Sequence, residues 1–312
     1  MRFGSVCSGI EAASVAWPFW EAAWFSEIEP FPCAVLKHHY PDVPNHGDMT
    51  ALPERILSGE VEAPDVFCGG TPCQAFSVAG NRKSLDDARG NLSLTFCEIA
   101  DAIDSVRYVR NEQPTIIFWE NVPGVLNTTD NAFGCFLAKL AGESCELQPP
   151  GGRWTDSGCV YGPKRAIAWR VLDAQYFGLA QRRRRVFVVA SARKDFNPTE
   201  VLFEFEAGDR NNAKIRRGVL RGRGKNITGC LSTRTAAFDR QELDSLIYDY
   251  ENKTVRVTMP IEQERLMGFP DGYTAITDKD TPRYKALGNS WAVPVVRWIG
   301  ERINNQQGNT NE

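Results

Sequence analysis

The chain has three histidines, no Cys-x-x-Cys pair, no Gly-x-Gly-x-x-Gly stretch and no long apolar run. Each shortage closes a class of function. Zinc sites draw on His and Cys at short, regular spacing, whereas His38, His39 and His46 crowd one N-terminal stretch with no such cysteine pair beside them. The same scarcity leaves a thiol hydrolase short of a general base. Without the glycine fingerprint, NAD and FAD lose support. No apolar stretch approaches the roughly 20 residues of a membrane span, and Met1-Arg2-Phe3-Gly4-Ser5 runs into a strand pattern rather than a signal-peptide hydrophobic region. A cytoplasmic location is expected. The nine cysteines, odd in number and irregular in spacing, read as reduced thiols rather than a disulfide framework.

What remains is an ordinary globular composition, 42% hydrophobic over 312 residues, enough for one large α/β domain with or without a smaller appendage. The net charge of −3 conceals an uneven distribution. Between Arg210 and Lys225 stand seven cations (Arg210, Lys214, Arg216, Arg217, Arg221, Arg223, Lys225) and no acid, and Arg182-Arg183-Arg184-Arg185 opens an apolar stretch upstream. One isolated basic run is commonly a solvated loop. A cluster that leads into a strand is poorly explained by solvation alone.

Short apolar runs alternate with amphipathic segments, the pattern of strands joined by crossover helices. Strands are expected at Arg2–Val6, Ala23–Ile28, Asp65–Cys68, Thr115–Trp119 and Val186–Ala190. Helices are expected after Gly9, at Pro30–His38, Leu92–Arg110, Asn131–Leu140, Met259–Met267 and Trp291–Ile303, with Gly142–Gly162 a surface excursion and the tail from Asn304 frayed. The fold class is therefore α/β, a doubly wound and mostly parallel sheet. From Ser191 to Arg256 the rhythm fades and basic, polar residues take over, so a small mixed module is expected at 191–256, between a main domain at 1–190 and a segment at 257–312 that completes it.

In such a sheet the ligand lies beyond the carboxyl ends of the strands. Gly9 follows the first strand and lets backbone approach a cofactor, Glu27 follows the second and can take two ribose hydroxyls, and Asp48 can accept from an exocyclic amine. That spacing suits a nucleoside cofactor, with solvated strand-end acids as the plainer account of Glu27 and Glu29. Two later strand ends carry a thiol in Pro72-Cys73-Gln74 and an acid in Phe118-Trp119-Glu120-Asn121-Val122, which together suggest covalent chemistry on a ring. Cys73 stands in a polar turn, whereas Cys7, Cys33, Cys68, Cys97 and Cys135 read, residue by residue, as small packing side chains.

Taken in order, these segments resemble the cytosine-5 DNA methyltransferase family over most of the chain. Phe3 to Trp17 resembles its S-adenosylmethionine loop, Glu27 its ribose-binding acid, Asp48 its adenine contact and Pro72-Cys73-Gln74 its nucleophile motif. Asp87-Ala88-Arg89-Gly90-Asn91-Leu92 resembles the loop that follows, and Glu120-Asn121-Val122 and Gln181-Arg182-Arg183-Arg184-Arg185 the next two elements. Glu262 to Pro270 and Leu287-Gly288-Asn289-Ser290 complete the order. The resemblance implies a Rossmann-like methyltransferase with a small target-recognition domain, of bacterial or phage type, acting as a monomer on double-stranded DNA. It implies Cys73 as nucleophile, Glu120 as the acid on the ring, and Arg183 and Arg185 as polarising partners. S-adenosylmethionine would be held by Cys7, Gly9, Ile10, Glu27, Ile28, Asp48, Met49, Pro72, Leu92, Asn289 and Ser290. Thr233, Arg234 and Thr235 are candidate base readers. Three positions depart from the family pattern: the first loop keeps one glycine of several, Ser5 replaces a frequent Asp, and Trp291 stands where a small aliphatic residue is commoner, implying a reshaped cofactor rim. Two alternatives stay open here, a transfer-RNA cytosine-5 methyltransferase and a non-catalytic DNA-binding relative.

Overall fold

The computed structural model describes residues 1–72, 92–204, 231, 246–249 and 253–308. Cys73, Gln74, Asp87 to Asn91, the cations from Arg210 to Lys225, and Thr233, Arg234 and Thr235 lie outside the described residues.

Seven strands make one sheet in the order β2-β1-β3-β4-β7-β6-β5. They are β1 (Arg2–Val6), β2 (Glu21–Ser26), β3 (Val66–Gly69), β4 (Ile116–Asn121), β5 (Ser157–Tyr161), β6 (Ala166–Asp173) and β7 (Arg184–Ser191). β1 pairs in parallel with β2 and β3, and β3 with β4. β7 runs antiparallel to both β4 and β6, and β5 antiparallel to β6. β7 thus departs from the expected parallel direction, for a reason of length: the link from β6, Ala174 to Arg183, is too short for the dozen or more residues of a parallel crossover. β5 lies inside the expected surface excursion. It is an edge strand with exposed and half-exposed residues alternating, so its composition resembles that of a loop.

The helices are α1 (Ala12–Ala16), α2 (Pro30–His39), α3 (Leu52–Leu57), α4 (Leu92–Val109), α5 (Ala132–Ala141), α6 (Pro198–Leu202), α7 (Pro260–Met267), α8 (Asp280–Asn289) and α9 (Val293–Gly308). They cover both faces of the sheet. Successive strand residues point to opposite faces, so Phe3, Val66, Ile116 and Phe118 enter the core beneath α1, α6 and α9, and Val6, Phe67, Ile117 and Trp119 the core beneath α3, α4 and α5. Each large apolar side chain buried this way contributes roughly 1.5–3 kcal/mol, and burial on both faces explains why β3 and β4 are continuously buried.

Residues 192–204, assigned by sequence to the small module, pack into the main domain: Phe196, Val201 and Leu202 belong to the first core. The tail is ordered further than expected, because Gln306 exchanges two 3.0 Å hydrogen bonds with the backbone of Asn197 and Gln307 accepts from Arg193. α9 also returns to the start of the chain, where Trp17 Nε1 donates to the Val296 carbonyl at 2.9 Å. Of the small module, β8 (Leu246–Asp249) and β9 (Thr254–Val257) form an antiparallel hairpin. Among the described residues no helix is long and apolar enough to cross a membrane.

Candidate active site

Past the end of β1 the chain turns through left-handed backbone at Cys7, Gly9 and Glu11 before entering α1. A side chain at Gly9 would meet nothing within 4 Å, so the backbone there fronts open space. That space is a cleft, open to solvent, between this turn and the Asn289–Trp291 turn that joins α8 to α9. Cys7, Gly9, Asn289 and Ser290 are among the residues that line it. Glu27 flanks it. Its Oε2 accepts from Gly9 N at 2.7 Å and its Oε1 from Ile28 N and Glu29 N, both at 2.8 Å. A carboxylate has about four acceptor positions, so Glu27 first fixes the turn and then has room for one further donor rather than two. Asp48 is exposed at the same flank, accepting from Thr50 N at 2.9 Å. Met49 is buried and takes the Cys7 thiol on its sulfur at 3.8 Å, while Ile28 is exposed.

Three other expected cofactor residues stand apart from the cleft wall. Ile10 is fully buried in the core, with its carbonyl accepting from Tyr273 Oη at 2.9 Å. Leu92 opens α4 and packs on the second core. Pro72 is exposed beyond β3. Burial pushes the Cys7 thiol up to about 12, with Glu27 and Asp48 adding to the rise, so this cysteine stays protonated beside the cleft.

The second half of the site is at the end of β4. Glu120 is buried and pairs with Arg185, Nε to Oε1 at 3.0 Å. The antiparallel register makes the pair: Asn121 faces Val186, which places Arg185 at the mouth of the same strand pair. The Trp291 indole and the Glu120 carboxylate both border Gly70, where a side chain would come within 3.0 Å of Trp291 Nε1 and 3.2 Å of Glu120 Oε2 and crowd both. Burial raises the Glu120 pKa above the usual carboxylate value, against the opposing charges of Arg185 and Arg183 and the neighbouring Trp291 indole. The result is a carboxyl that keeps its proton to a higher pH, as a donor to a ring nitrogen requires.

Arg183 takes a different place from the expected substrate contact. It is buried and donates to the carbonyls of Gly288 at 2.8 Å, Ser290 at 2.6 Å and Leu231 at 3.2 Å, so it clamps the turn that lines the cleft and reaches Glu120 through its charge. Thr71 ties the loop that leads to Cys73. Its carbonyl accepts from Asn121 Nδ2 at 2.9 Å, and its hydroxyl accepts from Trp119 Nε1 at 3.0 Å and shares a 2.7 Å bond with Ser93. The roles of Thr71 and Glu11 escaped the sequence reading. The hydroxyl in Gly70-Thr71-Pro72, at a strand end, was the available signal for the first of them.

Known proteins resemble the chain over most of its length. The family model for C-5 cytosine-specific DNA methylase matches residues 1–226 and 209–305. The DNA N-6-adenine-methyltransferase of Escherichia phage P1 is 39% identical over 457 positions, covering 96% of this chain and 61% of its own length. This chain therefore spans about three-fifths of that relative. The Type II methyltransferases M1.ScrFI of Lactococcus lactis (28% identical, 91% of this chain, 72% of the relative) and M.HpaII of Haemophilus parainfluenzae (26%, 87% and 79%) are also similar. Among solved structures, the S. pombe Dnmt2 methyltransferase matches with a TM-score of 0.64 at 17% identity over 98% of both chains. The Dnmt2 of Spodoptera frugiperda matches with a TM-score of 0.61 at 18% identity, over 97% of this chain and 99% of its own. These two likenesses establish the Rossmann-like methyltransferase fold, and the match of the family model across nearly the whole sequence places the chain in the C-5 cytosine-specific DNA methylase family.

Proposed function

We propose that the chain transfers a methyl group from S-adenosylmethionine to carbon 5 of a cytosine swung out of duplex DNA. The observation that carries the reading is Glu120, a buried acid with a raised pKa held by Arg185 at a strand end, beside the tethered loop that leads to Cys73. The cleft fits the donor: it offers an open backbone cradle at Gly9 and, at its flank, the carboxylates of Glu27 and Asp48, suited to a ligand that carries a positive sulfonium. Cys7, Gly9, Glu27, Asp48, Met49, Asn289 and Ser290 would hold it. When bound, the donor supplies an electrophilic methyl group.

The rest falls to the chain. Carbon 5 of cytosine is a poor nucleophile until the ring loses its aromaticity, so the Cys73 thiolate forms a bond to carbon 6 and pushes electron density onto carbon 5. Glu120 gives its proton to ring nitrogen 3 as that charge develops, and Arg185 keeps the carboxyl in place. Once carbon 5 is methylated, its proton leaves to water, the sulfur–carbon bond breaks to release Cys73 as the thiolate, and ring nitrogen 3 returns its proton to Glu120. Extruding the base costs a few kcal/mol, and the cations from Arg210 to Lys225 in the 191–256 module are proposed to offset this through phosphate contacts and to position the target readers. A bacterial or phage-infected cytoplasm suits such an enzyme.

The printed activity of the phage P1 relative, on adenine N6, is the competing reading. An exocyclic amine can attack a methyl donor directly and has no use for a thiol at a ring carbon or an acid at a ring nitrogen. Duplex DNA incubated with labelled donor and digested to nucleosides is expected to yield 5-methylcytosine. Label in 6-methyladenine would replace the proposal. Substituting 5-fluorocytosine at the target blocks loss of the carbon 5 substituent, so it should trap the DNA on wild-type protein and leave Cys73→Ser untrapped.

A further inference from the structure

Glu11 is a buried acid in the wall of the cofactor cleft, and the proposed transfer leaves it without a task. Glu120 faces Arg185 and the equally buried Glu264 faces Arg283, whereas Glu11 has no ion pair among the described residues. The described residues that line the cleft include no Lys, Arg or His. Hydroxyls surround the acid instead. Ser5 Oγ is 2.8 Å from Glu11 Oε2 and 2.6 Å from Ser8 Oγ, and Ser8 Oγ is 3.1 Å from the Ser5 carbonyl and accepts from Ser26 N at 3.1 Å. Ser8 is half-buried and borders the cleft. A row of hydroxyls can point either way. With Glu11 ionised, Ser5 donates to the carboxylate and Ser8 to Ser5. With Glu11 protonated, the acid donates to Ser5, Ser5 to Ser8, and Ser8 to the Ser5 carbonyl. Both charge states therefore keep every hydroxyl paired, and no heavy atom has to move.

We propose that Glu11 is a specificity residue of the cleft, which carries a proton while the cleft is empty and releases it when a cationic ligand binds, so that the protein favours a sulfonium donor over the thioether left after transfer. The proposal rests on S-adenosylmethionine as the occupant of the cleft. One positive charge enters and one proton leaves, along Ser5 and Ser8 to solvent. After transfer the sulfur is neutral, the acid takes a proton back, and the preference for the occupant is gone. The surroundings suit this exchange. Burial favours the neutral acid and pushes its pKa up to about 8, against the bonds from Ser5 and Ser14. Facing the carboxyl are Glu27 after β2, Cys68 on β3, Tyr40 after α2 and Tyr273 between α7 and α8, none of them a cation. Arg297, which α9 brings to α1, donates to the Val15 and Ala16 carbonyls at the far end of that helix. The other titratable side chain in the wall, Cys7, is pushed up to about 12 and stays neutral throughout.

One arm of the test needs no ligand. In the unliganded protein the infrared carbonyl band of a protonated carboxyl, identified by its loss in Glu11→Gln, is expected at neutral pH and fades as pH rises through about 8. If the band is missing at pH 7, Glu11 is ionised in the empty cleft and the proposal falls. The second arm is titration calorimetry at pH 7 in buffers of different ionisation enthalpy. Relative to Glu11→Gln, which subtracts whatever the ligand's own amine contributes, wild type should release more than about half a proton per S-adenosylmethionine bound and almost none per S-adenosylhomocysteine. The ratio of the two Kd values should fall about tenfold in Glu11→Gln, as a donor that lowers the acid's pKa by about two units requires. Ser5→Ala removes the hydroxyl that serves the carboxylate, so the band and the proton release should both move to higher pH by about one unit. That variant decides the matter if Glu11→Gln does not fold, and an unmoved pH dependence in it overturns the proposal. Equal release with both ligands, or release unchanged in Glu11→Gln, also overturns it while leaving the cleft a donor site. Protein whose band titrates but which binds neither compound removes S-adenosylmethionine as the occupant, and the proposal with it.

Discussion

Glu11 occupies the floor of the loop between β1 and α1, almost completely buried, where Ser5 Oγ donates to one carboxyl oxygen at 2.8 Å and Ser14 N to the other at 3.3 Å. Burial pushes its pKa up to about 8; the Ser5 and Ser14 bonds oppose the rise and the charge of Glu27 adds to it. The consequence for stability has a definite sign. An unfolded glutamate releases its proton near 4.5 and the folded one near 8, so between those values the folded state binds more protons and stability falls as pH rises. The loss across the window is on the order of a few kcal/mol. Glu11→Gln should remove this slope, so that urea midpoints at pH 5 and pH 8 lie closer together than in the wild type. An unchanged slope would mean that Glu11 is already ionised in the folded protein at neutral pH. The places of Glu27, Glu120 and Arg185 at strand ends could be read from the sequence because each borders an apolar run. That of Glu11 could not, because its burial follows from the left-handed turn at φ 62° that carries it under the loop.

At the scale of elements, the four parallel strands and the longer helices followed from hydrophobic period, whereas strand direction and edge strands did not. β7 reads as a buried parallel strand until the shortness of its link to β6 is known, and β5, with Gly158 and Ser157, has the composition of a turn. Gly158 is required there, since a side chain would enter the ring of Trp169 on β6. Helix contacts are equally specific. Gly300 in α9 lies against the indole of Trp17, and a Cβ at that position would overlap the ring. Alanine is the better helix former by about 1 kcal/mol, but overpacking typically costs 1–3 kcal/mol, and Trp17 is held by its bond to Val296 and by Phe3 and Phe118 at 5.4 and 5.5 Å. Overpacking should win. Gly300→Ala is therefore expected to lower the thermal midpoint, and a raised midpoint would show that the α1–α9 contact yields more easily than this packing suggests.

The cleft is built from segments far apart in the sequence. Its lining residues come from Ser5 to Gly9 and Glu11 to Ala13 around the first turn, and from Asn289 to Trp291. The return of the βα rhythm after the basic stretch is the sequence signal for a domain completed by residues 257–312. Which strands the returning helices cover depends on contacts that pattern alone does not contain. α8 and α9 supply Leu287, Val293, Val296 and Ile299 to the core that also holds Phe3, Trp17, Phe118 and Phe187. A chain ending at Arg256 would expose that face of the sheet and would lack both the Arg183 clamp on Gly288 and Ser290 and the Asn289–Trp291 wall of the cleft. Such a chain is expected to lose its cooperative thermal transition and its binding of S-adenosylmethionine, measured by calorimetry on soluble protein. If it unfolds cooperatively at the wild-type midpoint, the main domain is complete without residues 257–312 and the cleft needs only its N-terminal wall. The packing argues otherwise, because Trp17, deep in the first core, gives its indole hydrogen bond to the backbone of α9.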